Sequence, residues 1–262
     1  MDAGAGAGGD GSCAPQTANG FGSNDAGISA QDFGCGDAGV PGFCDNGIRQ
    51  IGPTCDPTID ALLARTPAAD RAHPCKTPTN GQHYALDSDP MDPDTLAMHT
   101  ADMCKLNGAL YWVSDMDIDC DGKMSSVCPG TGANRDPSYQ GDTATHGTNG
   151  ALTSSLDRYV VIPNNNYSAV APGAVIAVIY GNKMTYAIHG DTGPPAIIGE
   201  GSVALANALG IPPSPANGGV LGNTVTFIAF TGPGTVPNDI ENQAEVDALG
   251  KALTQQFLMN NP

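Results

Sequence analysis

Two β-rich runs joined by a two-residue turn constrain the fold of this 262-residue chain more than any other feature. Residues 174–180 and 183–189 are dominated by Val, Ile, Tyr and Ala, and Gly181-Asn182 separates them. β-branched and aromatic side chains favour strands, and Gly and Asn accept the positive φ angles of a tight hairpin turn. The pattern therefore predicts an antiparallel β-hairpin.

Other segments predict further strands and a few helices. Strands are predicted over residues 109–120, 158–163 and 224–230, and helices over 58–65, 93–106, 202–209 and 238–259. Strands and helices do not alternate along the chain, so the sequence does not predict a parallel βαβ sheet. We expect a mainly β protein, either a small β-barrel or a sandwich. Long loops and peripheral helices, including a C-terminal helix, complete it.

Composition divides the chain into three parts. Residues 1–43 are rich in Gly, Ala, Asp and Ser and carry few large apolar side chains. Such a segment buries too little surface to offset the entropy of ordering, so we predict a disordered tail or linker. We predict that residues 44–104, rich in Pro and Cys, form an extension packed on the main domain. Residues 105–262 are predicted to form that domain.

The cysteines are confined to the first half of the chain, at positions 13, 35, 44, 55, 75, 104, 120 and 128. Their spacings do not include the C-x-x-C pairs of a zinc site. An even number predicts up to four disulfides and an oxidising compartment, although eight cysteines permit 105 connectivities. Cys120 and Cys128 could close a small loop. We expect an extracellular protein, secreted or tethered to the cell envelope through its tail.

Charge narrows the range of partners. The chain has 10 Lys and Arg against 27 Asp and Glu, a net charge of −17. Nucleic acid is excluded as a partner because phosphate binding needs a basic surface. A cationic substrate, or solubility alone, remains compatible with this acidity. No histidine pair has zinc-ligand spacing and no apolar run reaches 18 residues, so we expect no cofactor and no transmembrane segment. We expect a monomer.

The stretch 186–202 carries the strongest indication of chemistry. Asp191 and Glu200 are separated by a Gly/Pro turn and two isoleucines. Acid–base catalysis needs one neutral and one ionised carboxyl group. Burial beside the isoleucines would raise the pKa of Glu200, whereas the following helix would lower it. The alternative is that both residues have only local roles in a turn and at a helix start. His189 and Thr192 are predicted to line the same site.

The segment 110–122 supplies further candidates. Alternation places Trp112, Met116 and Ile118 on one face of the predicted strand and the aspartates at odd positions on the other. Carboxylates beside aromatic rings suit a cationic sugar, which gives six binding candidates: Tyr111, Trp112, Asp115, Asp117, Asp119 and Asp121. A calcium loop is an alternative, but Cys128 stands at the position of the bidentate glutamate. A solvated acidic strand edge is another.

Several ordered motifs across residues 105–262 together resemble the fungal-type chitosanases of glycoside hydrolase family 75. The matching segments are 110–112 (LYW), 115–122 (DMDIDCDG), 161–163 (VIP), 173–175 (GAV), 180–182 (YGN), 190–194 (GDTGP) and 198–202 (IGEGS). The resemblance implies a six-stranded barrel and inverting hydrolysis of chitosan, a polycationic polysaccharide. It also implies that Asp191 is the base and Glu200 the proton donor.

Two other functions stay open from the sequence. The first is a non-catalytic or calcium-stabilised protein of the cell envelope that binds a polysaccharide. The second is a related endoglycosidase that acts on chitin or β-glucan, because a carboxylate pair does not by itself select the sugar.

Overall fold

The computed structural model describes residues 56–70, 73–86, 101–132, 135–166 and 169–262. The predicted tail over residues 1–43 lies outside this part of the chain. The elements are α1 (Pro57–Arg65), β1 (Pro78–Leu86), β2 (Ala101–Leu106), β3 (Ala109–Asp119), β4 (His146–Gly147), β5 (Gly150–Ala151), β6 (Tyr159–Pro163), β7 (Val175–Tyr180), β8 (Lys183–Gly193), β9 (Ile197–Ile198), β10 (Glu200–Ser202), α2 (Val203–Leu209), β11 (Val220–Phe230) and α3 (Gln243–Asn260).

Six strands close into a barrel. Their order is β10-β6-β8-β7-β11-β3, and β10 also pairs with β3, which completes the ring. Two pairs of neighbouring strands in this ring, β10 with β3 and β6 with β8, are parallel. The other pairs are antiparallel. Strands β2, β1 and β9 continue the sheet outward from β3. The prediction of a mainly β fold with a barrel and a few helices is confirmed.

The sheet carries a hydrophobic core on each face. One core includes Trp112, Met116 and Ile118 of β3 together with apolar side chains of α2. The other includes Tyr111 of β3 together with apolar side chains of α1 and α3. Consecutive side chains of a strand point to opposite faces, so the predicted alternation along β3 is confirmed.

Local capping explains where the helices begin. Asp56 accepts backbone N–H groups at the start of α1, and Ser202 accepts the N–H of Leu205 at the start of α2. Asn242 caps α3, so this helix begins at residue 243 rather than at the predicted residue 238. A side-chain acceptor at the N-cap replaces a hydrogen bond that the first turn of a helix lacks.

The predicted helix over residues 93–106 is wrong where the structure describes it. Residues Ala101–Leu106 form β2, which pairs antiparallel with β3. Asn107 and Gly108, interpreted from the sequence as a helix end, are the turn of this hairpin, and Gly108 has φ +82°. An Asn-Gly pair suits such a turn because both residues accept positive φ.

Two disulfides join described cysteines. Cys75 is bonded to Cys104 and Cys120 to Cys128, so the small loop expected from the sequence is present. The other four cysteines lie outside the described residues. The proposed division at residue 104 remains a prediction, and β2 runs across it. Within the described ranges, no helix combines the length and apolar character needed to cross a membrane.

Candidate active site

The two predicted catalytic carboxylates flank the same residue of the barrel. Val161 of β6 is the register partner of Asp191 on β8 and of Glu200 on β10. On the far side of β10, Glu200 pairs in turn with Asp117 of β3. Residues paired across neighbouring strands direct their side chains to the same face. Asp117, Glu200, Val161 and Asp191 therefore form one row across four strands.

The sheet geometry fixes the distance between the two carboxylates. Neighbouring strands lie about 4.8 Å apart, so the Cα atoms of Asp191 and Glu200 are about 10 Å apart. The Oε2 atom of Glu200 lies 3.5 Å from where a Cβ atom of Gly193 would be. Gly193 follows Asp191 by two residues in β8, a separation of about 7 Å along a strand. The two carboxyl groups therefore lie on the same face of the sheet, one strand apart.

Glycine at position 199 places Glu200. Gly199 has φ +115°, and a Cβ atom there would lie 2.0 Å from Oδ1 of Asp115. The carbonyl oxygen of Gly199 accepts the N–H of Asp117 at 2.7 Å, which joins the start of β10 to β3. A side chain would be strained in this conformation and would collide with Asp115. The motif thus needs a glycine immediately before the glutamate.

A β-bulge at Gly190 separates His189 from Asp191. His189 pairs with Val160 and Asp191 with Val161, so Gly190 is an additional residue in β8. A bulge redirects the side chains that flank it, and these two residues point to opposite faces. His189 is fully buried, and its Nδ1 lies 3.0 Å from the carbonyl oxygen of Val170. The structure therefore directs the side chain of His189 away from the face that carries the carboxyl group of Asp191.

Asp191 is held by two backbone N–H groups. Its Oδ1 atom accepts the N–H of Ala144 at 2.8 Å and that of Thr192 at 2.7 Å. Burial raises the pKa of Asp191, while these two hydrogen bonds oppose that rise and nearby Asp142 adds to it. A carboxylate with an elevated pKa that is still ionised is a stronger proton acceptor.

Two further aspartates meet Asp191. One carboxylate oxygen from each of Asp119, Asp121 and Asp191 lies within 4.8 Å of the other two. Burial, followed by the charge of Asp121, raises the pKa of Asp119 well above its usual range. Burial also raises the pKa of Asp121 to about 7, despite a hydrogen bond from the N–H of Gln140. We call Asp119, Asp121 and Asp191 the aspartate cluster.

The aspartate cluster is a poor match to a calcium site. Three carboxyl groups supply few of the six to eight oxygens that calcium takes, and one oxygen of each already accepts at least one backbone N–H. Asp117 and Asp119 lie within β3 rather than in a loop. The loop-like spacing of the aspartates seen in the sequence is therefore a property of a strand and the turn after it.

Three of the predicted sugar-binding residues are buried in the cores. Trp112 is 1% exposed and stacks on Phe227 with ring centroids 5.1 Å apart, and Tyr111 is 5% exposed. Asp115 is fully buried against Gly199. The structure therefore does not bring these three side chains to the surface beside Asp191 and Glu200.

The other predicted residues lie near the two predicted catalytic carboxylates, and Asp119 among them is also buried, with 2% exposure. Asp117 is half-buried in the same row as Glu200, while Asp121 and Thr192 are partly exposed beside Asp191. The sequence reasoning missed Tyr159, whose hydroxyl donates to the carbonyl oxygen of Asp121 at 3.0 Å. It also missed Asp136, which accepts the N–H of Cys120 at 3.1 Å. Neither stands in a motif, so pairing across the sheet would have been needed to find them.

A groove of about 380 Å³ adjoins Asp191. Its walls are the loop 144–148 and the segment 236–240. Ala144 contributes to the wall and also donates its N–H to Asp191, so the groove and the carboxylate share a boundary. The exposed residues Asp142 and Asp239 give this side of the barrel a negative charge.

Comparison with known proteins assigns the chain to a family. The family model described as fungal chitosanase of glycosyl hydrolase group 75 matches residues 116–257, more than half of the chain. The chain belongs to this family. The match includes Asp191, Glu200 and the aspartate cluster, and it confirms the resemblance inferred from the motifs.

Individual relatives are similar over part of their length. An endo-chitosanase of Aspergillus fumigatus is 36% identical over 139 residues, which cover 47% of this chain and 57% of that protein. Endo-chitosanase B of Aspergillus oryzae is 34% identical over 144 residues, 49% of this chain and 58% of the relative. Endo-chitosanase C of Aspergillus oryzae is 35% identical over 167 residues, 58% of this chain and 41% of the relative. The chain thus spans about half the length of these relatives.

Proposed function

We propose that the protein is a secreted endo-chitosanase that hydrolyses β-1,4 bonds between glucosamine units with inversion at the anomeric carbon. Family membership indicates the enzyme class. The observation that supports these residues most directly is the shared register partner of Asp191 and Glu200, Val161. Two oxidised cysteine pairs are typical of a protein that folds in an oxidising compartment, which agrees with secretion.

The mechanism assigns one proton transfer to each carboxyl group. Glu200 donates its proton to the leaving glycosidic oxygen as the bond to the anomeric carbon breaks. Asp191 removes a proton from a water molecule whose oxygen forms the new bond from the opposite side of the ring. Inverting glycosidases separate these groups by about 6.5–9.5 Å so that the water fits. The spacing across β6 is compatible with that range.

Acidic side chains provide the affinity for a cationic polymer. Asp117 lies beside Glu200, and Asp142 and Asp239 lie near the groove. Ammonium groups of glucosamine would be attracted to these carboxylates, and the net charge of −17 would accelerate association. Neutral polysaccharides would not gain this attraction, which favours chitosan over chitin or β-glucan.

Product analysis tests the function and its two residues. The parent protein is incubated with chitosan, chitin and soluble cellulose, reducing ends are counted, and the anomer formed first is identified by proton NMR. We expect release from chitosan with the α-anomer appearing first. Asp191→Asn and Glu200→Gln should each reduce turnover at least about 10³-fold, because each removes one proton transfer.

A matched control separates catalysis from folding. Glu245→Gln removes a carboxylate in the first turn of α3, outside the site, and should retain normal turnover. All three variants should show the parent's circular dichroism spectrum. Normal turnover by Asp191→Asn or Glu200→Gln would exclude that residue from its role, and initial release of the β-anomer would exclude inversion.

The aspartate cluster is the observation that favours a calcium-stabilised, non-catalytic polysaccharide-binding protein instead. That alternative requires a melting temperature that rises with calcium and no release of reducing ends from any of the three polymers. The combination of calcium-independent melting and sugar release would exclude it.

A further inference from the structure

The aspartate cluster crowds negative charge without a cation. None of the ion pairs between described residues involves Asp119, Asp121 or Asp191. Asp119 is 2% exposed, and its Oδ2 atom is buried with no hydrogen-bond partner in the described part of the chain. Its Oδ1 atom accepts the N–H of Asp121 at 2.6 Å. Like charges at this distance cannot all be ionised at moderate pH, so the cluster must hold protons.

Hydrogen bonds indicate which member ionises first. Asp191 accepts two backbone N–H groups on one oxygen, whereas Asp119 and Asp121 each accept one. Backbone donors favour the ionised form of a carboxyl group. Asp191 is therefore the member best suited to carry the negative charge, as a base requires, while its neighbours hold protons.

The groups around Asp121 also favour its protonated form. Asp119 on β3, Asp191 on β8 and Asp136 in the following loop are acidic, and the Tyr159 hydroxyl of β6 donates to the backbone carbonyl of Asp121. No basic side chain contributes to the pKa of Asp121, which burial raises to about 7. Asp121 therefore stays neutral at weakly acidic pH.

We propose that Asp121 is a positioning residue that, in its protonated form, holds the attacking water against the base Asp191. An oxygen separation of up to 4.8 Å is spanned by one water that makes two hydrogen bonds of about 2.8 Å. Ionised Asp121 would compete with Asp191 for the proton of the water molecule. Its negative charge would also repel the carboxylate of Asp191. We then expect activity to fall at alkaline pH as Asp121 ionises. This inference rests on the proposed function, because it takes Asp191 to be the base.

The test compares the pH dependence of kcat and KM on chitosan for the parent, Asp121→Asn, Asp121→Ala and Glu245→Gln. Asparagine reproduces the shape and neutrality of protonated aspartate. We expect Asp121→Asn to lose up to about threefold in kcat at pH 5 and to move the alkaline midpoint up by at least about one pH unit. Asp121→Ala should lose at least about tenfold in kcat at pH 5, with KM changed less than twofold.

Glu245→Gln is the matched control, since it removes a carboxylate in the first turn of α3, outside the site. Its alkaline midpoint should move by less than about 0.3 pH unit because solvent screens the charge. An Asp121→Asn variant with an unmoved alkaline midpoint would overturn the proposal. So would equal losses in Asp121→Asn and Asp121→Ala, which would mean that the anion is required.

An infrared titration covers the case in which substitutions disturb folding. In the parent protein, the absorbance of protonated carboxyl groups should decrease in a step near pH 7. This step should be absent from Asp121→Asn. Its absence from the parent would refute the proposal. Loss of parent activity on chelation, restored by calcium, would also refute it and would assign the cluster to a cation. If Asp191→Asn is inactive while Asp121→Asn keeps the parent pH profile, only this inference fails and the proposed function stands.

Discussion

The buried aspartates predict that the protein loses stability as the pH rises, and Asp121 gives the magnitude. Its pKa rises from an ordinary 3.8 to about 7 in the folded protein. Below pH 4 the group is protonated in both states, and its contribution to stability is fully present. As the pH rises through 7, the folded state must also ionise it, and the contribution is lost. The pH window is therefore about 4–7.

The size of the effect follows from the same pKa. At 1.36 kcal/mol per pKa unit the ceiling is about 4 kcal/mol. Asp121 is only partly buried, so solvent screening reduces this to about 2 kcal/mol. For a domain of about 200 residues, 1 kcal/mol changes the melting temperature by about 2–4 °C. About two-thirds of this effect falls between pH 5 and pH 8, so Asp121→Asn should lose about 3–5 °C less than the parent over that range.

Differential scanning calorimetry at pH 5, 6, 7 and 8 measures this difference. Asp121→Asn and the parent should melt at similar temperatures at pH 5, and the variant should be the more stable at pH 8. Glu245→Gln should follow the parent, since its carboxylate lies in α3, outside the aspartate cluster. Parallel curves for the parent and Asp121→Asn would show that Asp121 ionises normally in the folded protein, and the reasoning would fail.

Two other substitutions test the geometry of the site. Gly199→Ala should destabilise the protein by at least about 2 kcal/mol and reduce kcat at least tenfold, because the new Cβ atom would meet Asp115 Oδ1 at 2.0 Å and displace Glu200. Thermal melting measures the stability and turnover measures kcat. Wild-type values of both would contradict the collision. Trp112→Ala should lower the free energy of unfolding by about 3–5 kcal/mol, since the ring stacks in the core. A raised KM without a loss of stability would instead support a role of Trp112 in sugar binding.

Features that depend on neighbours in the sequence were predictable. The hairpin β7–β8 follows from two β-branched runs and a Gly-Asn turn, and the alternation along β3 places its core residues correctly. The same local reasoning failed for β2, where Asn107-Gly108 terminates a strand rather than a helix. An Asn-Gly pair suits both a helix end and a hairpin turn, and only the pairing of β2 with β3 decides between them.

The site was predictable as a set of residue types but not as an arrangement. Two motifs contain Asp191 and Glu200, yet their common partner Val161 lies 30 positions before Asp191 and 39 before Glu200. The Gly190 bulge reverses the face of His189, and period-two reasoning cannot foresee an additional residue in a strand. The burial of Asp115 likewise depends on Gly199, which belongs to a different strand.

The shared partner of Asp191 and Glu200 has a consequence for how such an enzyme can diversify. Their spacing is set by the hydrogen bonds of β6, whereas the groove walls belong to the segments 144–148 and 236–240. Insertions or exchanges in those walls would leave the distance between acid and base unchanged. Grafted walls should therefore alter which polymers are cleaved while the stereochemistry of the product is inherited from the barrel.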